Sequence, residues 1–147
     1  MEYVCGFYID VDDGMVLLIK KNRPSFQAGK WNGIGGKLEP GEQPIDAMVR
    51  EFREECGVVT PSEIWTHTIT MTGDNDQANS GTPFKVHYFR SLQSFMPNYE
   101  QATDEFVAPI SFRHGLWDVP TLDNMKWIFP IQLNMHLSFP VQVTWQR

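Results

Sequence analysis

The sequence predicts an α+β fold, a mixed sheet with two helices packed on it. Three observations lead there. Residues 3–10 ("YVCGFYID") and 15–20 ("MVLLIK") are short runs of β-branched, aromatic and aliphatic residues on either side of a "VDDG" turn, which suits a hairpin. Residues 44–56 change to helical periodicity, with Ile45, Met48, Val49, Phe52 and Cys56 spaced three and four apart on one stripe. Further alternating runs and a second amphipathic stretch then follow, in an order that mixes strands with helices.

Taken along the chain, the opening hairpin leads into "KNRPSFQAGKWNGIGGKLEPGE", where Pro24, Asn32 and repeated glycines break any period. This predicts a structured loop with a short strand around Ile34–Leu38, and a loop of that length usually has a function. Pro40-Gly41 turns the chain into the 44–56 helix, and Gly57 stands where helices commonly end in a left-handed cap. Residues 63–73 and 83–92 read as a long hairpin around the polar "DNDQANSGT", a segment expected to be exposed and mobile. "FVAPISF" after Glu105 predicts another strand, Leu122–Met135 a second helix, and "FPVQVTW" (139–145) a last strand. No internal repeat or linker interrupts the pattern, so residues 1–147 are expected to form one domain.

Composition narrows the function classes. The net charge is −6, with acidic residues concentrated between Glu39 and Glu55, which argues against a long groove for a nucleic acid polymer. A polyanionic substrate would need a cation between it and this surface. The two cysteines, Cys5 and Cys56, are too few for a disulfide framework and read as buried thiols in a reducing compartment. With no leader pattern and no apolar run near the ~20 residues of a membrane span, the expectation is a soluble cytoplasmic protein.

The sharpest local feature is a set of carboxylates. Glu51, Glu54 and Glu55 stand at i, i+3 and i+4, so they share one patch of the helix, away from the apolar stripe. A like-charged i,i+4 pair costs an isolated helix roughly 0.2–0.5 kcal/mol. The negative charge also sits toward the helix C-terminus, where the dipole opposes it. A solvated charged face is the simplest explanation. The functional one is that hard divalent cations take oxygen ligands from a few carboxylates, water and substrate phosphates, and the repulsion then becomes binding energy for the ion. Arg50, four residues before Glu54, can steady one carboxylate, and a bound metal activates water. Such equipment suits hydrolysis of phosphate esters or anhydrides.

The spacing of these residues also matches a known signature. Gly36, Glu42 and the run Arg50-Glu51-Phe52-Arg53-Glu54-Glu55-Cys56-Gly57-Val58 fill every position of the Nudix box, G-x5-E-x7-R-E-U-x-E-E-x-G-U, where U is bulky and apolar. Seven fixed identities at about 5–7% each would coincide on the order of once in 10⁹ starting positions, so the motif is specific. The chain thus resembles the Nudix hydrolases. The resemblance implies an α/β/α sandwich with a mixed central sheet, and cleavage of a nucleoside diphosphate linked to another moiety with Mg²⁺ or Mn²⁺ as cofactor. By position it makes Glu51, Glu54 and Glu55 metal carboxylates, joined by the Gly36 carbonyl. Glu51 or Glu54 would orient or deprotonate the attacking water, with Glu54 favoured; Arg50 would hold that glutamate, and Glu42 would support the loop–helix geometry. Lys37 is either a phosphate contact or a solvated lysine at a strand end.

Outside the box, "FQAGKWNGIGGK" (26–37) resembles the segment of MutT-like members that act on oxidised purine nucleoside triphosphates. This makes Asn32 a candidate base reader, since it offers donor and acceptor, and Phe26 a pocket wall; the structural alternative for Asn32 is a turn residue before Gly33. In "TDEFVAP", Glu105 becomes an extra ligand or base, or else a solvated loop acid. In "LDNMKWIFP", Asp123 matches the first of two adjacent aspartates, whereas Asn124 replaces the second, Ile128 is an extra residue, and Pro120 and Thr121 stand where a stacking tryptophan is expected. A carboxylate pair can share a proton and adapt to different bases; Asp-Asn is more fixed. The resemblance therefore carries the nucleoside triphosphate class further than the oxidised-purine preference. Trp31, Trp117, Trp127 and Trp145 are either stacking surfaces or core, and the four histidines lack ligand spacing.

The expected reaction is metal-dependent hydrolysis of a (deoxy)nucleoside triphosphate to a monophosphate and pyrophosphate, with nucleotide-pool sanitation as the implied role. Hydrolysis of ADP-ribose, a nucleotide sugar or a dinucleoside polyphosphate is the alternative, and a non-catalytic nucleotide-sensing module a third. The expected partner is the nucleotide, with no polymer or membrane, on a monomer or homodimer.

Overall fold

The structure, a computed structural model, describes residues 1–74 and 81–146. The expected mobile loop falls largely on residues 75–80, outside those described. In chain order the strands are β1 (Glu2–Asp10), β2 (Met15–Lys20), β3 (Trp31–Asn32), β4 (Ile34–Lys37), β5 (Thr66–Gly73), β6 (Phe84–Gln93), β7 (Phe106–Ser111) and β8 (Val141–Trp145). Helix α1 spans Pro44–Cys56 and α2 spans Met125–Gln132. The predicted opening hairpin is present: β1 and β2 pair antiparallel from Tyr8–Leu17 to Asp10–Met15, and Asp10 Oδ1 closes the turn by accepting the Asp12 and Asp13 amides at 3.1 Å each.

Among the described residues the eight strands make one mixed sheet, with the path β3-β2-β1-β6-β5-β8 and with β4 on β1 and β7 on β2. One edge of β1 is divided. Its C-terminal half pairs with β2, while Tyr3–Gly6 pairs antiparallel with β4. The other edge runs parallel to β6 from Glu2–Lys85 to Asp10–Gln93, a pairing of strands about 80 residues apart that no local pattern announces. Beyond β6 the predicted β5–β6 hairpin is antiparallel, and β8 adds to β5 in parallel.

Both faces of the sheet are covered, as an α/β/α sandwich requires. Val4, Tyr8, Leu17 and Ile19 face Met48, Phe52 and Trp65 on the α1 side. The alternate residues Cys5, Phe7, Ile9, Val16 and Leu18 face Met125, Ile128 and Phe129 on the α2 side. This period-2 division explains why β1 and β2 read as continuous apolar runs. Cys5 and Cys56 are free and buried. No helix among the described residues is long and apolar enough to cross a membrane.

Three expectations change in detail. Residues Ser62–Ile64 form a 3₁₀ turn after Pro61, so the strand expected from 63 begins at Thr66. The second helix is shorter than Leu122–Met135, because Trp31 ties down the residues before it: its amide donates to Pro120 O at 2.8 Å and its carbonyl accepts from Leu122. Pro130, which supplies no amide donor, lies near the other end. Finally, α1 buries a wider arc than its apolar stripe, since Ala47 and Glu51 are buried while Ile45 and Val49 are only partly so.

Candidate active site

Helix α1 enters on Pro44 and ends at Gly57, whose φ of +74° and amide bond to Arg53 O form the predicted left-handed cap. This fixes the C-terminal turns that carry the acidic cluster. Arg50 organises them with all five of its N–H donors. Nε and Nη2 form a bidentate pair with Glu42 at 2.8 and 2.9 Å, Nη1 reaches Glu51 at 2.9 Å and Glu54 at 3.0 Å, and Nη2 also donates to Lys37 O at 3.1 Å. Glu42 in turn accepts the Glu39 amide at 2.9 Å, so one guanidinium ties the loop after β4 to the helix. The ion pair holds the Glu42 carboxyl below its usual range.

The three helix glutamates stand in different surroundings. Glu51 is 8% exposed, and its carboxyl lies against Gly36, where any Cβ would overlap it. Burial pushes the Glu51 pKa up against the pull of Arg50, with Glu54 and Glu55 adding to the rise. Glu54 keeps more than half of its side chain in solvent and has one oxygen on Arg50. Glu55 turns away and accepts the Thr103 hydroxyl at 3.1 Å; burial raises its pKa as well, with Glu105 and Glu54 contributing.

Glu105 is not a solvated loop acid. It is 5% exposed, pairs with Lys21 Nζ at 2.8 Å, and accepts the Asn22 amide at 2.5 Å. Both carboxylate oxygens are thus occupied by protein donors. Thr103 links it to the helix, accepting the Glu105 amide while donating to Glu55.

Among the described residues, no three acidic, histidine or cysteine side chains converge closely enough to hold a metal ion unaided. Arg50 draws Glu51 and Glu54 to itself, and Glu55 leans toward Thr103. The donor set nevertheless fits a hard divalent cation that completes its shell with water and phosphate. It offers only oxygen ligands, and two partly desolvated carboxylates are held above their usual pKa in a shared negative field that a cation would relieve.

A cavity of about 290 Å³ opens beside this cluster. It is lined by Gly36 and Lys37 of β4, by Pro24 and Phe26, and by Asn32, Cys5, Tyr88 and Asn124, with Phe84, Val86, Leu122 and Trp145 adding apolar surface. Five of the site residues expected from the resemblance (Phe26, Asn32, Gly36, Lys37 and Asn124) therefore border one cavity, together with Trp145, a candidate stacking surface. Asp123 does not: it is exposed, and Asn124, the residue preceding α2, takes the inward position. Asn32 is a strand residue rather than a turn residue: it ends β3, pairs with Ile19 and borders the cavity, while its Oδ1 accepts the Gly33 amide at 2.8 Å.

Of the tryptophans, Trp145 lines the cavity and stacks on Trp127 at 6.4 Å, Trp31 packs edge-on against Phe106, and Trp117 is half exposed. Lys21 and Tyr88 carry no signal in the sequence, and Cys5 reads there only as a buried thiol, yet all three line the cavity. Cys5 and Tyr88 are register partners across the parallel β1–β6 pairing, so only that long-range contact brings them to the cavity.

A sheet buried on both faces, with the acidic helix end packed on its glycine strand, defines a class, and this chain belongs to the Nudix family: residues 2–124 match the NUDIX domain. Among similar proteins, the oxidized purine nucleoside triphosphate hydrolase of Danio rerio is 52% identical over 92 residues, covering 61% of this chain and 51% of that protein. The CTP pyrophosphohydrolase of Escherichia coli is 50% identical over 46 residues, 31% of this chain and 34% of that protein. The matches thus span about a third to a half of the length of these relatives. Among solved structures, the NUDIX domain of Shewanella oneidensis NrtR, complexed with ADP ribose, superposes with a TM-score of 0.72 at 17% identity over 89% of this chain and 84% of that one. A bifunctional NMN adenylyltransferase/ADP ribose pyrophosphatase from Francisella tularensis, complexed with AMP and a Mn ion, gives 0.66 at 19% over 90% of this chain and 40% of that one. Nudix hydrolases act on nucleotide derivatives and generally need divalent metal ions.

Proposed function

We propose that this protein is a Mg²⁺-dependent nucleoside triphosphate pyrophosphohydrolase, converting a (deoxy)nucleoside triphosphate and water to a nucleoside monophosphate and pyrophosphate. The observation that carries this reading is the continuity of the cleft. The amides suited to a base, Asn32 and Asn124, border the same cavity as Lys37 and Gly36, and Gly36 touches the Glu51 carboxyl. A base seated against Asn32 and Asn124 leaves its phosphates to run past Lys37 and Gly36 toward Glu51.

Each residue then has a physical task. Phe26 walls the base, and Asn32 and Asn124 meet its edge. Lys37 offers a cation to the phosphates. Glu51, Glu54 and Glu55 with the Gly36 carbonyl would hold Mg²⁺, which when bound supplies neutralisation of phosphate charge and a more acidic water. Glu105, occupied by Lys21 and Asn22, acts on this group through its charge beside Glu55. Glu54 is the assigned base: its carboxylate is the solvent-facing one, Arg50 fixes one oxygen, and the other is left to take a proton from the attacking water. The water oxygen bonds to phosphorus, the anhydride P–O bond breaks, and pyrophosphate carries away the electron pair. Arg50 is a positioning residue.

The two named relatives share a triphosphate substrate and differ in base, which supports the substrate class and leaves the base to the cavity. The reading covers residues 1–147 as one domain, acting as a monomer or homodimer. The test is a screen of ordinary, methylated and oxidised nucleoside triphosphates alongside ADP-ribose, nucleotide sugars and dinucleoside polyphosphates, with Mg²⁺ and identification of both products. Monophosphate plus pyrophosphate from a triphosphate is the expected result. Turnover confined to the other compounds, or nucleotide binding without turnover, would replace this reading.

A further inference from the structure

The loop between β2 and β3 reaches the cavity with Lys21, Pro24, Phe26 and Gln27. Its base is closed like a strand pair, the Lys21 amide donating to Lys30 O and the Gly29 amide to Lys21 O at 2.8 Å each. Within it the bonds are local turns, with the amides of Gln27, Ala28 and Lys30 donating to the carbonyls of Pro24, Ser25 and Gln27. Among the described residues, every hydrogen bond and ion pair from residues 21–30 to the chain outside the loop goes to Asp104 or Glu105. Lys21 Nζ and the Asn22 amide hold the Glu105 carboxylate and anchor the start of the loop. Asn22 Nδ2 donates to Asp104 O at 2.9 Å. Arg23 then takes the Asp104 carboxylate on both terminal nitrogens, Nη2 to Oδ1 at 3.1 Å and Nη1 to Oδ2 at 3.3 Å.

We propose that Arg23 and Asp104 are positioning residues of the nucleotide site: their two-bond ion pair clasps the β2–β3 loop so that Pro24 and Phe26 stand as a wall of the cavity. The inference rests on the nucleotide reading above. Arg23 is the last residue tied down before Pro24 and Phe26, and Phe26 is 38% exposed, so packing alone fixes it weakly. A planar guanidinium held at two nitrogens sets direction as well as distance, which a single contact would not do. Neither Arg23 nor Asp104 lines the cavity, so the pair acts on a nucleotide through the residues it places. With 69% and 63% of their side chains exposed, the two charges add little to global stability, and their effect falls on where the loop sits. The clasp also joins the two ends of the site. Thr103, the residue before Asp104, donates to Glu55 and accepts the Glu105 amide, so residues 103–105 carry the loop on one side and meet the acidic helix on the other.

The experiment compares wild type, Arg23→Ala, Asp104→Ala and the double variant on the preferred nucleoside triphosphate, reading kcat and KM separately, with melting temperature as the folding control. Asp104→Ala is also made in a Phe26→Ala background. Each single variant should raise KM about three- to fivefold, near the upper end for an exposed ion pair, with kcat within about twofold of wild type. The double variant should be no worse than either single, and Asp104→Ala should add nothing once Phe26 is gone. Wild-type KM in Asp104→Ala overturns the proposal. A rise in KM confined to Arg23→Ala overturns it as well, making Arg23 a direct phosphate contact, and so do additive losses in the double variant. These three outcomes leave the proposed function intact. If wild type hydrolyses no triphosphate, the functional reading fails, and calorimetric Kd for ADP-ribose, GDP-mannose and UDP-glucose replaces KM. A Kd raised in both singles and no further in the double variant then supports the clasp. An unchanged Kd, or binding of none of the three by wild type, overturns it.

Discussion

Arg50 and Glu42 meet in a bidentate ion pair, Nε to Oε2 at 2.8 Å and Nη2 to Oε1 at 2.9 Å, with the remaining N–H groups of Arg50 on Glu51, Glu54 and the Lys37 carbonyl. One cation thereby offsets the repulsion among the helix acids. It takes one oxygen of Glu51 and one of Glu54, and leaves Glu55 to Thr103.

Removing that cation exposes the cost. Arg50→Ala leaves Glu51 buried beside Glu54 and Glu55 without a partner, and a loss of about 2–4 kcal/mol of unfolding free energy is expected. Arg50→Lys recovers less than half of it, because a point charge cannot span Glu42 in two bonds and still reach Glu51. Urea denaturation of the three proteins gives the comparison.

Glu42 predicts a pH dependence of known sign. Its carboxyl is held below the usual 4.5 by the bonds from Arg50. The folded state therefore binds this proton more weakly than the unfolded chain does, and the resulting stability is complete above about 4.5 and lost as pH falls through the lower folded value. Wild type should exceed Glu42→Gln in stability at pH 7, with the gap closing below pH 4.5. A gap that stays constant down to pH 3 would show that the charge on Glu42 contributes nothing.

At Gly36 the chain lies in ordinary backbone space, yet a Cβ would overlap the Glu51 carboxyl. The neighbour is the end of a side chain, which can swing away, so Gly36→Ala should fold with a melting temperature within a few degrees of wild type. Displacing Glu51 should nonetheless reduce kcat by on the order of 10²-fold, as misplacement of a catalytic group by about 1 Å does. Equal turnover in the two proteins would separate Glu51 from the chemistry.

Local patterns in the sequence carried much of this structure. The hairpin of β1 and β2, the glycine cap of α1 and the acidic cluster all depend on neighbours within a few residues, so they could be read directly. The burial of Glu51 could not, because β4 closes over that flank of the helix at Gly36 and a periodicity count sees only the helix. Cys5 and Tyr88 reach the cavity through the parallel pairing of β1 with β6, and Lys21 finds Glu105 across 84 residues. Asp123 and Asn124 are adjacent in sequence, and only the start of α2 decides which one faces inward.

The central claim is that Glu54 takes the proton from water at a site where nucleotide also binds. Its most direct test is Glu54→Gln, with single-turnover hydrolysis of the preferred triphosphate and calorimetric nucleotide affinity measured on the same preparation. The expected result is a rate lower by on the order of 10²–10⁴-fold with Kd within about threefold of wild type. Wild-type turnover in Glu54→Gln would contradict the account.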